Sequence, residues 1–310
     1  MPMEKNNASG GKTVLFAIIF NLAVQVAFSF VMVAVMTAGG YSSLEQIPYY
    51  STWNLAAMLL LQTAFFAAIV FTKPALVKIP VQSARKWAAD IGFALAAAAI
   101  CLTCFSWLGE WFAVLLDAVG YNLSSLEING AADILLAVTV TVLLAPVMEE
   151  TLFRNALTGD LVKTHGTLAA SALSGLAFSL MHMSPQQTVY QFFLGAVCAY
   201  AFIKTGNIVC PMLIHALNNA CAIAVSFAEI PLITPAEGSV SVLTDNIALS
   251  IPVTLLLAAA GAGAVYFIGR LFGGDAVASD GTEDKGKIPR TVAVVICASM
   301  WLFNFFGSLN

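Results

Sequence analysis

Apolar runs of about twenty residues recur from one end of this chain to the other, and that recurrence limits the folds open to it. A helix needs ~20 predominantly apolar residues to cross the hydrocarbon core of a bilayer. By that measure spans fall near 14–36, 54–72, 90–108, 133–157, 168–183, 188–204, 208–228, 247–272 and 292–308. The 310 residues are 60% hydrophobic and only 10% charged, against about 25% charge in an ordinary soluble domain. The expected fold is therefore all-α, a polytopic transmembrane helix bundle with eight or nine spans in one integral membrane domain, 1–310. The segment 109–120 is expected as an interfacial helix, and the first span, at Val14 to Met36, as uncleaved.

Basic residues set the expected orientation. With nine spans all thirteen lie on one side: Lys5, Lys12, Lys73, Lys78, Arg85, Lys86, Arg154, Lys163, Lys204, Arg270, Lys285, Lys287 and Arg290. The opposite loops carry Glu45, Glu110, Glu127, Glu229, Glu237 and Asp245 and no Lys or Arg. The expectation is a multi-pass protein of the cell membrane with a cytoplasmic N-terminus. The Gly- and charge-rich stretch 273–290 is expected as a flexible cytoplasmic loop. A net charge of −4 offers no basic face for nucleic acid, and lipid is the expected surrounding partner. All six cysteines lie in apolar runs and read as small buried hydrophobes, including Cys101 and Cys104 one turn apart.

Against this background the run Leu-Leu-Ala-Pro-Val-Met-Glu-Glu-Thr-Leu-Phe-Arg (143–154) stands out. A charge near the bilayer centre costs about 2.5–3.5 kcal/mol on insertion scales, so ionisable groups there are functional candidates. Glu150 and Arg154, four apart, share a helix face and are expected to pair as a structural unit. Glu149 is rotated about 100° away and is left for chemistry. Placement of all three in the headgroup zone is the bland alternative. Two of the chain's three histidines also stand in spans: His182, ending Phe178-Ser-Leu-Met-His182, and His215, opening His215-Ala-Leu-Asn218-Asn219. His165 reads as a solvated loop residue.

Counted along helices at 1.5 Å per residue, Glu149 lies about 12 Å from the basic side, His215 about 10 Å and His182 ~20 Å. That mismatch leaves the bounds of the fifth span open. A glutamate in a wet membrane cavity can serve as general base, and a His–Asn pair can donate to an oxyanion. Alternatively Glu149, His182 and His215 can hold zinc, whose water is then the nucleophile. Both remain open: no cofactor, or Zn. Ser174, Ser179 and Ser184 lie in no Gly-x-Ser-x-Gly elbow and are poor nucleophile candidates.

These motifs resemble those of the CPBP family of intramembrane proteases, which holds the type II CAAX prenyl endopeptidases and the bacteriocin-processing and immunity (Abi) proteins. The family pattern is Glu-Glu-x-x-x-Arg, Phe-x-x-x-His and His-x-x-x-Asn or Asp on successive helices, and Glu149–Arg154, Phe178–His182 and His215–Asn219 match it in order. The resemblance covers about 132–228, the expected catalytic core. It implies that Glu149 and His182 activate water, that His215 and Asn219 form an oxyanion hole, and that Glu150 and Arg154 are structural. It also implies a peptide or protein substrate, prenylated or bacteriocin-like. The family usually carries the label metalloprotease, and a metal-free mechanism is argued for it as well. A non-enzymatic immunity or transport-like protein with the same polar cavity is the competing reading. A transporter would more often show inverted repeats, and none is visible.

Overall fold

The computed structural model describes residues 10–42, 47, 50–72, 79–123, 130–228, 245–272, 275–277 and 287–309. Outside the described residues lie Lys5, Glu45, Lys73, Lys78, Glu127, Glu229, Glu237, Lys285 and most of the loop expected at 273–290. Among the described residues the chain is helical and contains no strand. The helices are α1 (Gly10–Gly39), α2 (Tyr50–Thr72), α3 (Ala84–Ala118), α4 (Ala131–Met181), α5 (Thr188–Thr205), α6 (Val209–Ala228), α7 (Ile247–Leu271) and α8 (Lys287–Gly307). Five are long and apolar enough to cross a membrane: α1 from Lys12, α3, α4, α7 and α8. Thr52–Ala68 of α2 and Val209–Val225 of α6 are shorter apolar helices. The eight or nine expected spans are thus not recovered as separate long helices. The fourth and fifth run into one helical element, and Ser106–Ala118, which takes in most of the 109–120 stretch expected at the interface, continues α3.

The long element α4 is a hairpin rather than a rod. Gly166 breaks it at φ 70° and ψ 172°, a left-handed conformation that costs glycine little because it has no Cβ. The arm before Gly166 and the arm after it fold back against each other. The first arm contains two stretches of wider π-type turns, Val138–Leu144 and Thr151–Thr158. There the Ala145 and Gly159 amides reach back five residues, to the carbonyls of Val140 and Arg154. Such bulges recur at functional sites.

Two apolar cores flank the hairpin. One gathers Val14, Ile18, Phe65, Phe153, Leu157, Phe178 and Cys297 from α1, α2, α4 and α8. The other gathers Phe93, Ala97, Phe105, Leu194, Cys198, Ile214 and Val265 from α3, α5, α6 and α7. The second arm of α4 meets α5 where Gly175 faces Gly195. A Cβ on Gly175 would stand 2.6 Å from the Phe192 carbonyl oxygen, so only glycine permits this approach. Small residues let helices pack closely where lipid gives no hydrophobic incentive to associate.

The ends of the elements nearest Gly166 are clasped by polar groups. Asp275 accepts from Lys204 at 2.6 Å and from the Thr167 hydroxyl beside the kink, and the Ala276 and Val277 amides donate to Ile203 O. Within the stretch expected as a flexible loop, residues 275–277 thus carry hydrogen bonds to α4 and α5, and residues 287–290 are helical. Nearby, the almost fully buried Asp90 accepts from Gln82, Lys86 and Asn207 at 2.7, 2.8 and 2.9 Å. At the other end, Tyr121 and Leu309 form an isolated antiparallel bridge.

Candidate active site

The two arms of α4 meet residue for residue at equal distances from Gly166. Thr158 and Ser174, eight positions before and eight after, bring their hydroxyls to 2.8 Å. Arg154 and Phe178, twelve before and twelve after, stack with the guanidinium 5.0 Å from the ring centroid. Glu149 and His182, 17 before and 16 after, face each other with Oε2 and Nε2 3.9 Å apart. This removes the depth mismatch of the sequence count. The first arm does not end near residue 157 but continues to the kink, so the two groups lie at one depth.

Glu150, Arg154 and His215 form a closed charge cluster. Arg154 grips Glu150 through Nε at 2.6 Å and Nη2 at 3.0 Å, and both side chains are 0% exposed. Nη1 reaches the Ser174 hydroxyl at 3.3 Å. The His215 Nδ1 lies 3.0 Å from Glu150 Oε1, and since a carboxylate only accepts, this nitrogen carries the proton. Phe178 packs edge-on against His215 and His182, with centroids 5.5 and 4.8 Å away. Glu150 and Arg154 are thus enclosed by protein, whatever their depth.

Glu149 and His182 are held differently. Their side chains are 13% and 19% exposed. His182 Nδ1 sits 2.9 Å from the Phe178 carbonyl oxygen. A carbonyl can only accept, so Nδ1 bears a proton, and in the neutral ring Nε2 presents its lone pair toward Glu149. Oε2 of Glu149 is buried and has no hydrogen-bond partner among the described residues. At 3.9 Å the two atoms are beyond direct hydrogen-bond reach, a separation that one water donating to both can span.

Asn219 is engaged elsewhere. Its Nδ2 donates to the Thr141 carbonyl oxygen at 2.7 Å. The cause lies in α4. In that π-type stretch the donor for Thr141 O would be the amide of residue 146, five positions on, and Pro146 has none. Asn219 supplies the missing proton. His215 and Asn219 thus do not point a free pair of donors into one cavity: one binds Glu150, the other a backbone carbonyl.

No set of three His, Cys, Asp or Glu side chains converges among the described residues. Glu149 and His182 approach each other, but His215 is not grouped with them as a third zinc ligand; its Nδ1 bond to Glu150 leaves Nε2 uncommitted. Ser174 is buried against Arg154 and Thr158, and Ser179 donates to Thr188 O at 2.6 Å. Neither is a free nucleophile. Sequence spacing missed Asn218, which accepts from the Tyr190 hydroxyl, and Asn304 of α8, which donates to Met183 O beside His182. A polar residue in an otherwise apolar span was the available signal for both.

Residues 131–221 match the model of the Rce1-like family, described as type II CAAX prenyl endopeptidase Rce1-like. No curated protein and no solved structure gives a match to the chain. The matched segment runs from the start of α4 to the middle of α6 and holds all three motifs of the site. The likeness to the Rce1-like family is thus carried by residues 131–221, within a chain whose described residues include five helices long and apolar enough to cross a membrane.

Proposed function

We propose that the chain is an intramembrane endopeptidase that hydrolyses a peptide bond of a membrane-associated peptide or protein. The observation that carries the proposal is the Glu149 carboxylate, unpartnered at Oε2 and facing the lone pair of His182 across 3.9 Å. A water between them has both protons directed to bases and a lone pair left for a substrate carbonyl carbon. Glu149 takes a proton as the oxygen attacks the scissile carbonyl, then returns it to the leaving amine, as general acid–base catalysis requires. His182 orients the water through Nε2. The buried Glu150–Arg154 pair fixes the helix face that aims Glu149, and His215 hangs on that pair. His215 can donate to an oxyanion through Nε2 only when both ring nitrogens are protonated, because Nδ1 already serves Glu150. The second Nδ2 proton of Asn219 is the other donor available.

The reading extends to a cell-membrane protein with a cytoplasmic N-terminus and nine crossings. In that arrangement α2, α5, α6 and the two arms of α4 each count as one. The substrate is a peptide or protein reached from the bilayer, prenylated or bacteriocin-like.

The test is a cleavage assay in lipid nanodiscs. Purified protein is incubated with prenylated and unmodified peptides, with and without chelator, and products are identified by mass spectrometry. Cleavage that survives chelation and falls about 10²–10⁴-fold in Glu149→Gln is expected. Near-normal turnover by a folded Glu149→Gln variant overturns the assignment. Binding of a peptide without cleavage returns the chain to the immunity or transport-like reading.

A further inference from the structure

The residue after His182 has an unusual backbone. Met183 is the one non-glycine residue with positive φ, 52°, among the described residues. A residue with a Cβ is strained in that region, and such strain persists only where the surroundings hold it. Three restraints converge on this turn. The Met183 side chain is buried in the core shared by α1, α4 and α8. Its carbonyl oxygen accepts from Asn304 Nδ2 at 2.6 Å. One turn earlier on α8, Trp301 Nε1 donates to the Thr188 hydroxyl at 2.6 Å, and that hydroxyl donates to Ser184 O at 3.1 Å.

Asn304 and Trp301 lie three apart and share a helix face. The neighbouring Phe303 and Phe306 are largely exposed, as lipid-facing residues are. An asparagine in such a helix needs a polar partner, and here it uses the backbone next to His182. Helix α8 lies outside the matched segment 131–221, so nothing in the family match assigns it a role.

The geometry points to Asn304, supported by Trp301, as a positioning residue that clamps the left-handed turn at Met183 and so holds the His182 imidazole on the Phe178 carbonyl with Nε2 toward Glu149. His182 is the last residue before the turn, and its Nδ1 bond to Phe178 depends on the final helical turn remaining closed. If Met183 relaxes to negative φ, the chain after His182 leaves in another direction and the ring loses its fixed orientation. The inference rests on the peptidase reading for its kinetic consequence but not for its structural one.

The chain has three histidines, which makes the ring state measurable. Full-length protein with ¹⁵N-labelled histidine is reconstituted in nanodiscs, and His182 is assigned with a His182→Gln variant. Wild type is expected to show the neutral Nδ1–H form at this ring. Asn304→Leu, branched alike but without donors, should give a mixture of tautomers. Its kcat should fall by about 10²-fold, the cost of misplacing a catalytic group by ~1 Å, with KM nearly unchanged. Asn304→Gln keeps an amide and should recover part of both signals, while Phe303→Leu on the lipid side should change neither. If Asn304→Leu does not fold, Trp301→Phe removes the donor to Thr188 while keeping a smaller aromatic ring beside Phe305, and carries the same readouts. Wild-type tautomer in either folded variant overturns the clamp, whatever happens to kcat. A shifted tautomer with no cleavage by wild type keeps the clamp and removes the peptidase reading. Cleavage that depends on Glu149 with an unmoved tautomer does the reverse.

Discussion

Arg154 is a fully buried cation in the site. It neutralises Glu150 in a place where both are fully enclosed, so removing it leaves a buried carboxylate with only His215 beside it. Arg154→Met should cost roughly 3–5 kcal/mol, read as a lower thermal midpoint in nanodiscs. Glu150→Gln combined with Arg154→Met should cost less than the two added, because the pair is lost once. Strict additivity would show that the two side chains act independently. Asn219→Leu addresses a different bond: it strips the donor from Thr141 O, at about 1–3 kcal/mol for an unsatisfied buried carbonyl. The thermal midpoint should drop along with activity; unchanged stability would show that the bond to Thr141 contributes nothing. At this scale the four-residue spacing made the Glu150–Arg154 pairing legible in the sequence. The bond from His215 to Glu150 was not, because nothing local relates the register of α6 to that of α4. The engagement of Asn219 depends on Pro146, 73 positions away, and only packing connects them.

The hairpin at Gly166 is the element on which the site is built. Asp160 and Lys163 look like a loop in sequence, which is why the fourth span was expected to end near 157. In the structure these charges pair within the helix and with α8: Lys163 lies 3.6 Å from Asp160, and Arg290 4.0 Å from it. The helix therefore runs on to the glycine, and one element appears where two spans were expected. Apolar length was legible; the location of the bend was not, since Gly159 and Gly166 are both eligible and only the second takes positive φ. Two substitutions test the element. Gly166→Ala places a Cβ in the left-handed region and should cost about 1–2 kcal/mol. Gly175→Ala drives a methyl into the Phe192 carbonyl and the Ala196 amide, and overpacking of that kind costs about 1–3 kcal/mol. Gly175→Ala should also separate α5 from the second arm, detected as faster amide exchange in both, whereas an unperturbed exchange pattern would refute the close approach.

Over the whole molecule, the clasp at Asp275 joins α5, the kink of α4 and the segment after α7. Burial raises the Asp275 pKa, but hydrogen bonds from Lys204 and Thr167 and the charges of Lys204 and Arg270 outweigh it, so the carboxyl stays below its ordinary 3.8. A carboxyl with a depressed folded-state pKa stabilises the fold above its unfolded value and loses that contribution as pH falls through the folded one. The stability difference between wild type and Asp275→Asn should thus be full at neutral pH and shrink as acid is added below about pH 4. Thermal unfolding across pH checks this, and a difference independent of pH would show that the charge of Asp275 is not what holds the clasp. High salt should narrow the gap, because Asp275 is partly open to solvent. The mirrored spacing about Gly166 also bears on how such a chain can change over generations. A residue added to one arm alone would slide Thr158 past Ser174 and Arg154 off Phe178, and would turn Glu149 by about 100° away from His182. Length in this hairpin can be gained or lost only on both sides together and in nearly whole turns, so the two arms are inherited as a single measure.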